Sequence, residues 1–224
     1  GDKSVAQVCR EYQINTDFFL EIINTFHDKG YFPNEKLQKF SVDDIIWYLE
    51  NTHRYYSQVK LPQIQSLIKE VVANNKEHKQ YMEMMQSFFQ EYRDEVITHT
   101  DHEDQVVFPY SRAIDKSCKS NAYFEQHMEK LKDYSIYVFE REHDDLESKL
   151  LDLKNIIIKY LPEPLNNQAY KAILFELFVL ESDLNDHARI EDKVLVPKVK
   201  QMEDELCQRY PAFKNLCAAR PLVP

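Results

Sequence analysis

Apolar residues recur three and four positions apart along four long stretches of the chain, which is the pattern of amphipathic α-helices. The first stretch follows Ser41, which forms a helix-start capping box with Asp44, and it runs towards Asn74 and Asn75. The other three stretches cover roughly residues 77–109, 130–161 and 166–207. Four long amphipathic helices with short links predict an all-α fold, an antiparallel up-down four-helix bundle.

A shorter helical pattern precedes these stretches, over residues 1–40. It predicts one helix at VAQVCREY, a second at DFFLEIINTFHDK that Gly30 ends from the C′ position, and a further turn near 34–38. The cadence is like a helix-turn-helix, but residues 1–40 hold five Lys/Arg against six Asp/Glu, so a structural or docking unit is favoured over a DNA-binding one. We expect a small helical leader domain at 1–40, the bundle at 41–207 and a C-terminal tail at 208–224.

The composition excludes several classes of protein. A net charge of −10 argues against nucleic acid and against an anionic membrane as direct partners. With only two glycines, the chain has no glycine-rich loop that could hold a phosphate group. No apolar run approaches the roughly 20 residues of a membrane span, and no secretory signal opens the sequence. The four cysteines lack CxxC spacing, so neither a zinc knuckle nor a disulfide framework is indicated, and a cytoplasmic location is expected.

One phrase occurs twice in the chain, as HTDHEDQVVFP at residues 99–109 and as HARIEDKVLVP at residues 187–197. The two copies share the His, the Glu four residues later, the following Asp, a Val and the final Pro. Spacing of four places His99 with Glu103, and His187 with Glu191, one turn apart on the same helix face.

Two further histidines are expected at the same level of the bundle as the histidines of the duplicated phrase. In an antiparallel helix pair, residues equally far from the turn lie at the same level, which pairs His53 with His99 and His143 with His187. The predicted bundle would therefore bring four imidazoles and two carboxylates around one point, each half contributing the same ligands. Such a set suits iron, manganese or zinc, and two metals bridged by both carboxylates would keep open coordination positions. Residues from about 115 to 127 do not fit a tight turn and predict a long connection, with a short helix of its own as an alternative.

Other residues near these positions have competing interpretations. Glu50 and Glu140 each precede a histidine by three, which is also the spacing of ferritin-like di-iron carboxylate sites. We favour instead that they orient or screen the site, because metal-bound imidazoles usually donate their other N–H to an acceptor. His102 lies one turn from His99 and is an alternative ligand, with a solvated position favoured. The remaining three histidines are expected to be ordinary surface residues: His27, His78 and His127.

The duplicated motif, with single histidines in the preceding helices, resembles the hemerythrin-like cation-binding family. More narrowly, it resembles the regulators of cell morphogenesis and nitric oxide signalling, also called iron-sulfur cluster repair di-iron proteins. The resemblance covers about residues 41–205 and, more loosely, the leader. The phrases EREHDDL around His143 and THRYY around His53 also resemble the family. It implies two iron ions in an oxo-bridged non-haem centre, with manganese or zinc as alternatives. The implied ligands are His53, His99, His143 and His187, with Glu103 and Glu191 as bridging carboxylates.

The resemblance also implies a function. Members of this family are linked to restoring iron-sulfur centres after nitrosative or oxidative damage, which would make iron-sulfur proteins the clients. Oxygen or nitric oxide sensing is the alternative, with O₂ or NO as the small ligand, and ferroxidase or peroxidase activity is a third interpretation. Whether the chain is an enzyme is left open, and a homodimer is one candidate assembly. The leader departs from the family pattern, because a pair of adjacent cysteines usually follows a phrase like REYxIN, whereas here CREYQIN is followed by TDFFLEII and Cys9 stands alone.

Overall fold

The computed structural model describes residues 2–28, 30–74, 79–139, 150–155, 158, 168–211 and 213. Within these residues every regular element is a helix, and no strand occurs. The prediction of an all-helical protein is therefore confirmed, whereas the up-down arrangement of four helices stays a prediction. None of the helices in these ranges is both long enough and apolar enough to cross a lipid bilayer.

The leader forms three short helices, α1 (Val5–Glu11), α2 (Thr16–His27) and α3 (Asn34–Leu37). The Asn15 side chain starts α2 by accepting hydrogen bonds from two backbone N–H groups of its first turn. The helix ends at His27, and its C-cap Asp28 has an extended backbone conformation. The expectation that Gly30 ends this helix from the C′ position was wrong. Because the chain leaves the helix in an extended conformation, no left-handed residue is needed, and Gly30 has no positive φ.

A buried carboxylate connects the leader elements. Glu21 on α2 accepts hydrogen bonds from Lys36 Nζ at 2.6 Å and from the Tyr31 hydroxyl at 2.7 Å. These two bonds, that of Lys36 first, hold the pKa of Glu21 below its ordinary value. The ionised form of Glu21 therefore stabilises the packing of α2 against the segment that contains α3.

The helices that follow the leader are α4 (Val42–Tyr55), α5 (Leu61–Asn74), α6 (Lys79–His102), α7 (Phe108–Lys119), α8 (Asn121–Leu131), α9 (Ile136–Phe139), α10 (Gln168–Ile190) and α11 (Val196–Arg209). Ser41 precedes α4, and its hydroxyl oxygen accepts a hydrogen bond from the Asp44 backbone N–H at 3.0 Å, as the sequence predicted. Three pairs of these helices are joined directly by a turn of π-helix, at Tyr56–Lys60, Glu103–Val107 and Glu191–Leu195. The hydrophobic pattern did not predict these π turns.

Each π turn is followed by a proline in the first turn of the next α-helix: Pro62, Pro109 and Pro197. Proline has no N–H, and its ring clashes with the carbonyl four residues earlier in a regular helix, so a wider turn before it relieves the conflict. Before Pro197, that carbonyl belongs to Lys193 and accepts a hydrogen bond from Gln38 Nε2 at 2.8 Å. Pro197 has no N–H to donate to the Lys193 carbonyl, and the side chain of Gln38, a leader residue, donates to it instead.

The region expected to connect the second and third long helices is itself helical. The Ser120 side chain begins α8 by accepting a hydrogen bond from the Tyr123 backbone N–H at 3.2 Å. The alternative of a connection with its own helix is therefore confirmed for α8. The expected start of the third long helix near Lys130 was wrong, because α8 ends at Leu131 and the chain is not helical again until Ile136.

A distant carboxylate explains where α9 begins. Glu203 on α11 is 3% exposed and accepts hydrogen bonds from the Ile136 backbone N–H at 2.9 Å, from Ser135 Oγ at 2.9 Å and from the Tyr110 hydroxyl at 2.6 Å. A carboxylate at a helix N-terminus satisfies N–H groups that have no partner within the helix. Because this cap comes from residue 203, the local sequence around residue 130 could not reveal it.

The chain divides into two compact units. Unit 1 comprises residues 1–49, 106–140 and 189–224, and unit 2 comprises residues 50–105 and 141–188. The core of unit 1 includes Phe18, Ile46, Phe108, Phe124 and Leu206. The core of unit 2 includes Leu61, Ile68, Phe89, Val96 and Leu177. The boundaries expected from the sequence, after residues 40 and 207, stay a prediction.

Candidate metal centre

Four of the six predicted ligands lie together in the interior. His53, Glu103, His187 and Glu191 are each at most 4% exposed. Each offers one ligand atom, and these four atoms all lie within 4.8 Å of one another. Buried imidazoles and carboxylates at such separations are what a transition-metal site requires. Within the described ranges, these four residues form a group that could hold a metal ion.

The carboxylate of Glu103 contacts two imidazoles from different helices. Its Oε2 lies 3.1 Å from His53 Nε2, and its Oε1 lies 3.0 Å from His99 Nε2. His99 precedes Glu103 by one turn, as predicted, and its side chain is 20% exposed. One carboxylate oxygen therefore faces each histidine, which is the arrangement expected of a carboxylate that bridges two cations.

The imidazoles of His53 and His187 approach each other closely. Their Nε2 atoms are 3.0 Å apart, and their ring centroids are 4.8 Å apart. Two neighbouring donor atoms around one ion with metal–nitrogen bonds of about 2.1 Å have a similar separation. The residues present therefore fit a metal in both chemistry and spacing.

Two further side chains orient these imidazoles. His53 Nδ1 donates to Asp104 Oδ1 at 2.9 Å, and His187 Nδ1 lies 2.7 Å from Thr52 Oγ1. With its proton on Nδ1, a neutral His53 presents the Nε2 lone pair to Glu103 and His187, which is the form that binds a metal. Sequence reasoning missed both residues. A signal for Asp104 was available, because Asp follows the ligand Glu in both copies of the duplicated phrase.

The duplicated phrase encodes the same local structure twice. In both copies the histidine lies in the last turn of an α-helix, the glutamate is the first residue of a π turn, and the proline follows that turn. Single π turns inside α-helices occur frequently at functional sites. A π turn is wider than an α-helical turn, so it changes the direction in which the residues after Glu103 and Glu191 face. The helix after each π turn therefore does not continue the face that carries the predicted His and Glu ligands.

The structure does not place every predicted residue at this centre. His143 and Glu140 lie outside the described residues, so their roles stay predictions. Glu50 is half-buried on α4, and its proposed screening role also stays a prediction. His102 is exposed, as favoured. His127 stacks on Tyr123, with 4.0 Å between the ring centroids.

Comparison with known proteins gives the family. The model of the hemerythrin HHE cation-binding domain matches residues 45–199, which include all six predicted ligand positions. The chain belongs to the hemerythrin HHE cation-binding domain family. A curated relative, the iron-sulfur cluster repair protein ScdA of Staphylococcus haemolyticus (strain JCSC1435), is 19% identical over 203 residues, covering 88% of this chain and 85% of that protein. No solved structure gives a significant match.

Membership of a cation-binding family and the buried His/Glu cluster together indicate a metal-binding protein. The resemblance inferred from the duplicated phrase is thereby confirmed at the level of the family. The similarity to a repair protein extends over most of both chains, so it includes at least part of the leader.

Proposed function

We propose that this HHE-domain protein holds two iron ions and repairs, or donates iron to, damaged iron-sulfur centres under nitrosative or oxidative stress. The observation that carries the metal part is the Glu103 carboxylate, whose two oxygens lie 3.1 and 3.0 Å from the Nε2 atoms of His53 and His99. The repair role is supported by the printed name of the staphylococcal relative. Iron-sulfur proteins would then be the clients.

The distances suggest how the ligands divide between two ions. His53 and His187, with Nε2 atoms 3.0 Å apart, would share one ion. His99 would hold the other ion together with His143, whose role is supported by the sequence pattern. Glu103 and Glu191 would contact both ions. A set of imidazoles and carboxylates suits iron, and it also admits manganese or zinc, which metal analysis distinguishes.

When bound, the iron pair would supply redox chemistry and exchangeable coordination positions. The residues of the chain would position and shield it. Both glutamates are 0% exposed and His53 is 3% exposed, so bulk water has little access to this side of the site. Asp104 and Thr52 would keep two imidazoles in the orientation that presents Nε2 inwards.

Metal analysis of purified variants tests the site. The chain should retain about two iron ions when loaded anaerobically, as expected for a two-metal site. His99→Ala and Glu191→Ala should each hold well below two, while both stay helical because apolar burial supplies most of the stability. His27→Ala, which removes an exposed histidine on α2, is the matched control and should keep the full content. Full iron in both site variants would refute the ligand assignment.

A transfer assay tests the role. Supplied with inorganic sulfide and a thiol reductant, the iron-loaded chain should restore the cluster of an apo iron-sulfur protein, and His99→Ala should not. Reversible binding of O₂ or NO without iron transfer would support a sensor instead. Sustained consumption of ferrous iron or peroxide without transfer would support a ferroxidase or peroxidase. Either of these results would overturn the repair proposal while leaving the metal site intact.

A further inference from the structure

A second candidate site lies in unit 2, in a cavity of about 170 Å³. The described residues that line it are Phe88, Glu91, Tyr92, Glu95, Asp152 and Leu153. Three of these residues are acidic and none is basic. None is a predicted metal ligand, so the cavity and the His/Glu cluster have no residue in common. A cavity of about 150 Å³ is large enough to take up a molecule the size of benzene, so this one has room for a small organic ligand.

The Tyr92 hydroxyl indicates that this acidic cavity is a candidate binding site. Its side chain is 2% exposed, yet its hydroxyl has no hydrogen-bond partner among the described residues. A buried hydroxyl without a partner costs roughly 1–3 kcal/mol, and most such groups in proteins are satisfied by protein, water or ligand. A polar atom left without a partner beside a cavity therefore indicates that something in the cavity bonds to it.

The surroundings of Tyr92 determine the charge of that ligand. Burial, together with the nearby carboxylates of Glu181 and Glu95, raises the pKa of Tyr92, so the phenol stays neutral at physiological pH. The phenol oxygen can accept a hydrogen bond from a cationic N–H donor. Glu91 and Asp152 are exposed at the cavity and add negative charge there. An anionic ligand would be repelled, whereas a cation would be attracted.

The choice between a metal ion and an organic cation follows from spacing and lining. Within the described ranges, the side chains close enough together to hold one metal ion are His53, Glu103, His187 and Glu191, and the cavity carboxylates are not among them. Phe88 and Leu153 add apolar surface to the lining. An ammonium ion near an aromatic ring gains a cation–π attraction in addition to its bonds to carboxylates. Carboxylates, a phenol and an aromatic ring match an alkyl- or arylammonium group.

We propose that this cavity, referred to as the Tyr92 cavity, binds a small organic ammonium ion. The ammonium N–H groups donate to the Tyr92 phenol oxygen and to the carboxylates of Glu91 and Asp152, and the organic part packs against Phe88 and Leu153. This inference does not depend on the identity or presence of iron at the HHE site, and it stands if that assignment fails.

A titration with two matched probes tests the charge requirement. Benzylammonium and benzyl alcohol have nearly the same shape, but only the first is a cation. Ligand-observed NMR on the purified full chain should give saturable binding of benzylammonium with a roughly millimolar Kd, as expected for eight heavy atoms. Benzyl alcohol should bind at least about tenfold more weakly. Equal affinities, or no saturable binding of benzylammonium because the cavity holds only water, would overturn the proposal.

Substitutions locate the binding, since an acidic chain could attract a cation elsewhere. Tyr92→Phe removes only the hydroxyl and should weaken benzylammonium binding about tenfold. Glu91→Gln should weaken it about two- to fivefold, because this carboxylate is exposed. Glu83→Gln removes the same charge from an exposed position on the same helix, outside the cavity lining, and should leave the Kd unchanged. Unchanged binding in Tyr92→Phe, or equal effects of the two Glu variants, would contradict the assignment.

Thermal unfolding gives an independent check that does not require a ligand. Because the Tyr92 hydroxyl has no partner within the described chain, Tyr92→Phe should leave the Tm unchanged or raise it. A Tm lowered by more than about 5 °C would mean that the hydroxyl bonds within the protein. The inference would then lose the observation on which it depends.

Discussion

Removal of the Asp104 carboxylate should weaken metal binding without removing a ligand. Asp104 Oδ1 accepts the hydrogen bond from His53 Nδ1 at 2.9 Å, and the side chain is 39% exposed. Groups that orient a metal-bound histidine in this way typically contribute 10- to 100-fold to metal affinity, or about 1.4–2.7 kcal/mol. Because Asp104 is partly exposed to water, we expect Asp104→Ala to weaken metal affinity about tenfold, near the lower end of that range.

Two further variants separate the causes of that effect. Asp104→Asn keeps an acceptor oxygen of the same size but loses the charge, so its affinity should lie between those of Asp104→Ala and the parent. Asp101→Ala removes the same charge from an exposed position near the end of α6, just before the π turn that contains Asp104, and should change the affinity by less than about twofold.

The assay is anaerobic competition for Fe²⁺ against a chelator of known affinity, with far-UV circular dichroism as the check on folding. Chelator competition reports affinity directly, so a change in redox activity does not enter the result. If Asp104→Ala and Asp101→Ala weaken binding equally, the effect is one of net charge, and the inferred orientation of His53 by Asp104 is wrong.

Three other predictions concern stability. Gln38→Ala should lower stability by about 1 kcal/mol in thermal unfolding, because the Lys193 carbonyl loses its bond, while Lys39→Ala should have little effect. Glu203→Ala should lower the free energy of unfolding by about 3 kcal/mol or more, because three donors lose the buried carboxylate that accepts their hydrogen bonds. Glu203→Gln should lower it by less. Equal losses of the two variants in urea unfolding would contradict this prediction. Glu21 has a lowered pKa in the folded state, so its contribution is present above its unfolded pKa of 4.5 and is lost as the pH falls through the lower folded value. Acid titration of Glu21→Gln should therefore show a smaller loss of stability below pH 4.5 than the parent.

The predictable parts of the fold are those with a local cause. The start of α4 at Ser41 and the presence of long helices follow from capping and from the period of apolar residues. The start of α9 does not, because the group that caps it is Glu203, distant in sequence. The π turns change the backbone hydrogen bonding rather than the apolar pattern, although the proline after each turn was a signal that a regular helix would be interrupted.

The candidate site was predictable to a similar extent. Four-residue spacing identified His99 with Glu103, and comparison of helix heights brought His53 into the same site. The side chains that orient the imidazoles were not found, since Thr52 reaches His187 from a helix distant in sequence. Glu50 was favoured for such a role on spacing alone, and that role stays a prediction, while Asp104 and Thr52 lie within hydrogen-bond distance of His53 and His187.

The central claim is that two iron ions lie among these six side chains. Anomalous diffraction at the iron absorption edge, from crystals of the iron-loaded chain, tests it most directly. The account predicts two peaks, one beside the Nε2 atoms of His53 and His187 and the other beside His99 Nε2, with Glu103 next to both. A single peak elsewhere, or no iron beside these histidines, would contradict it.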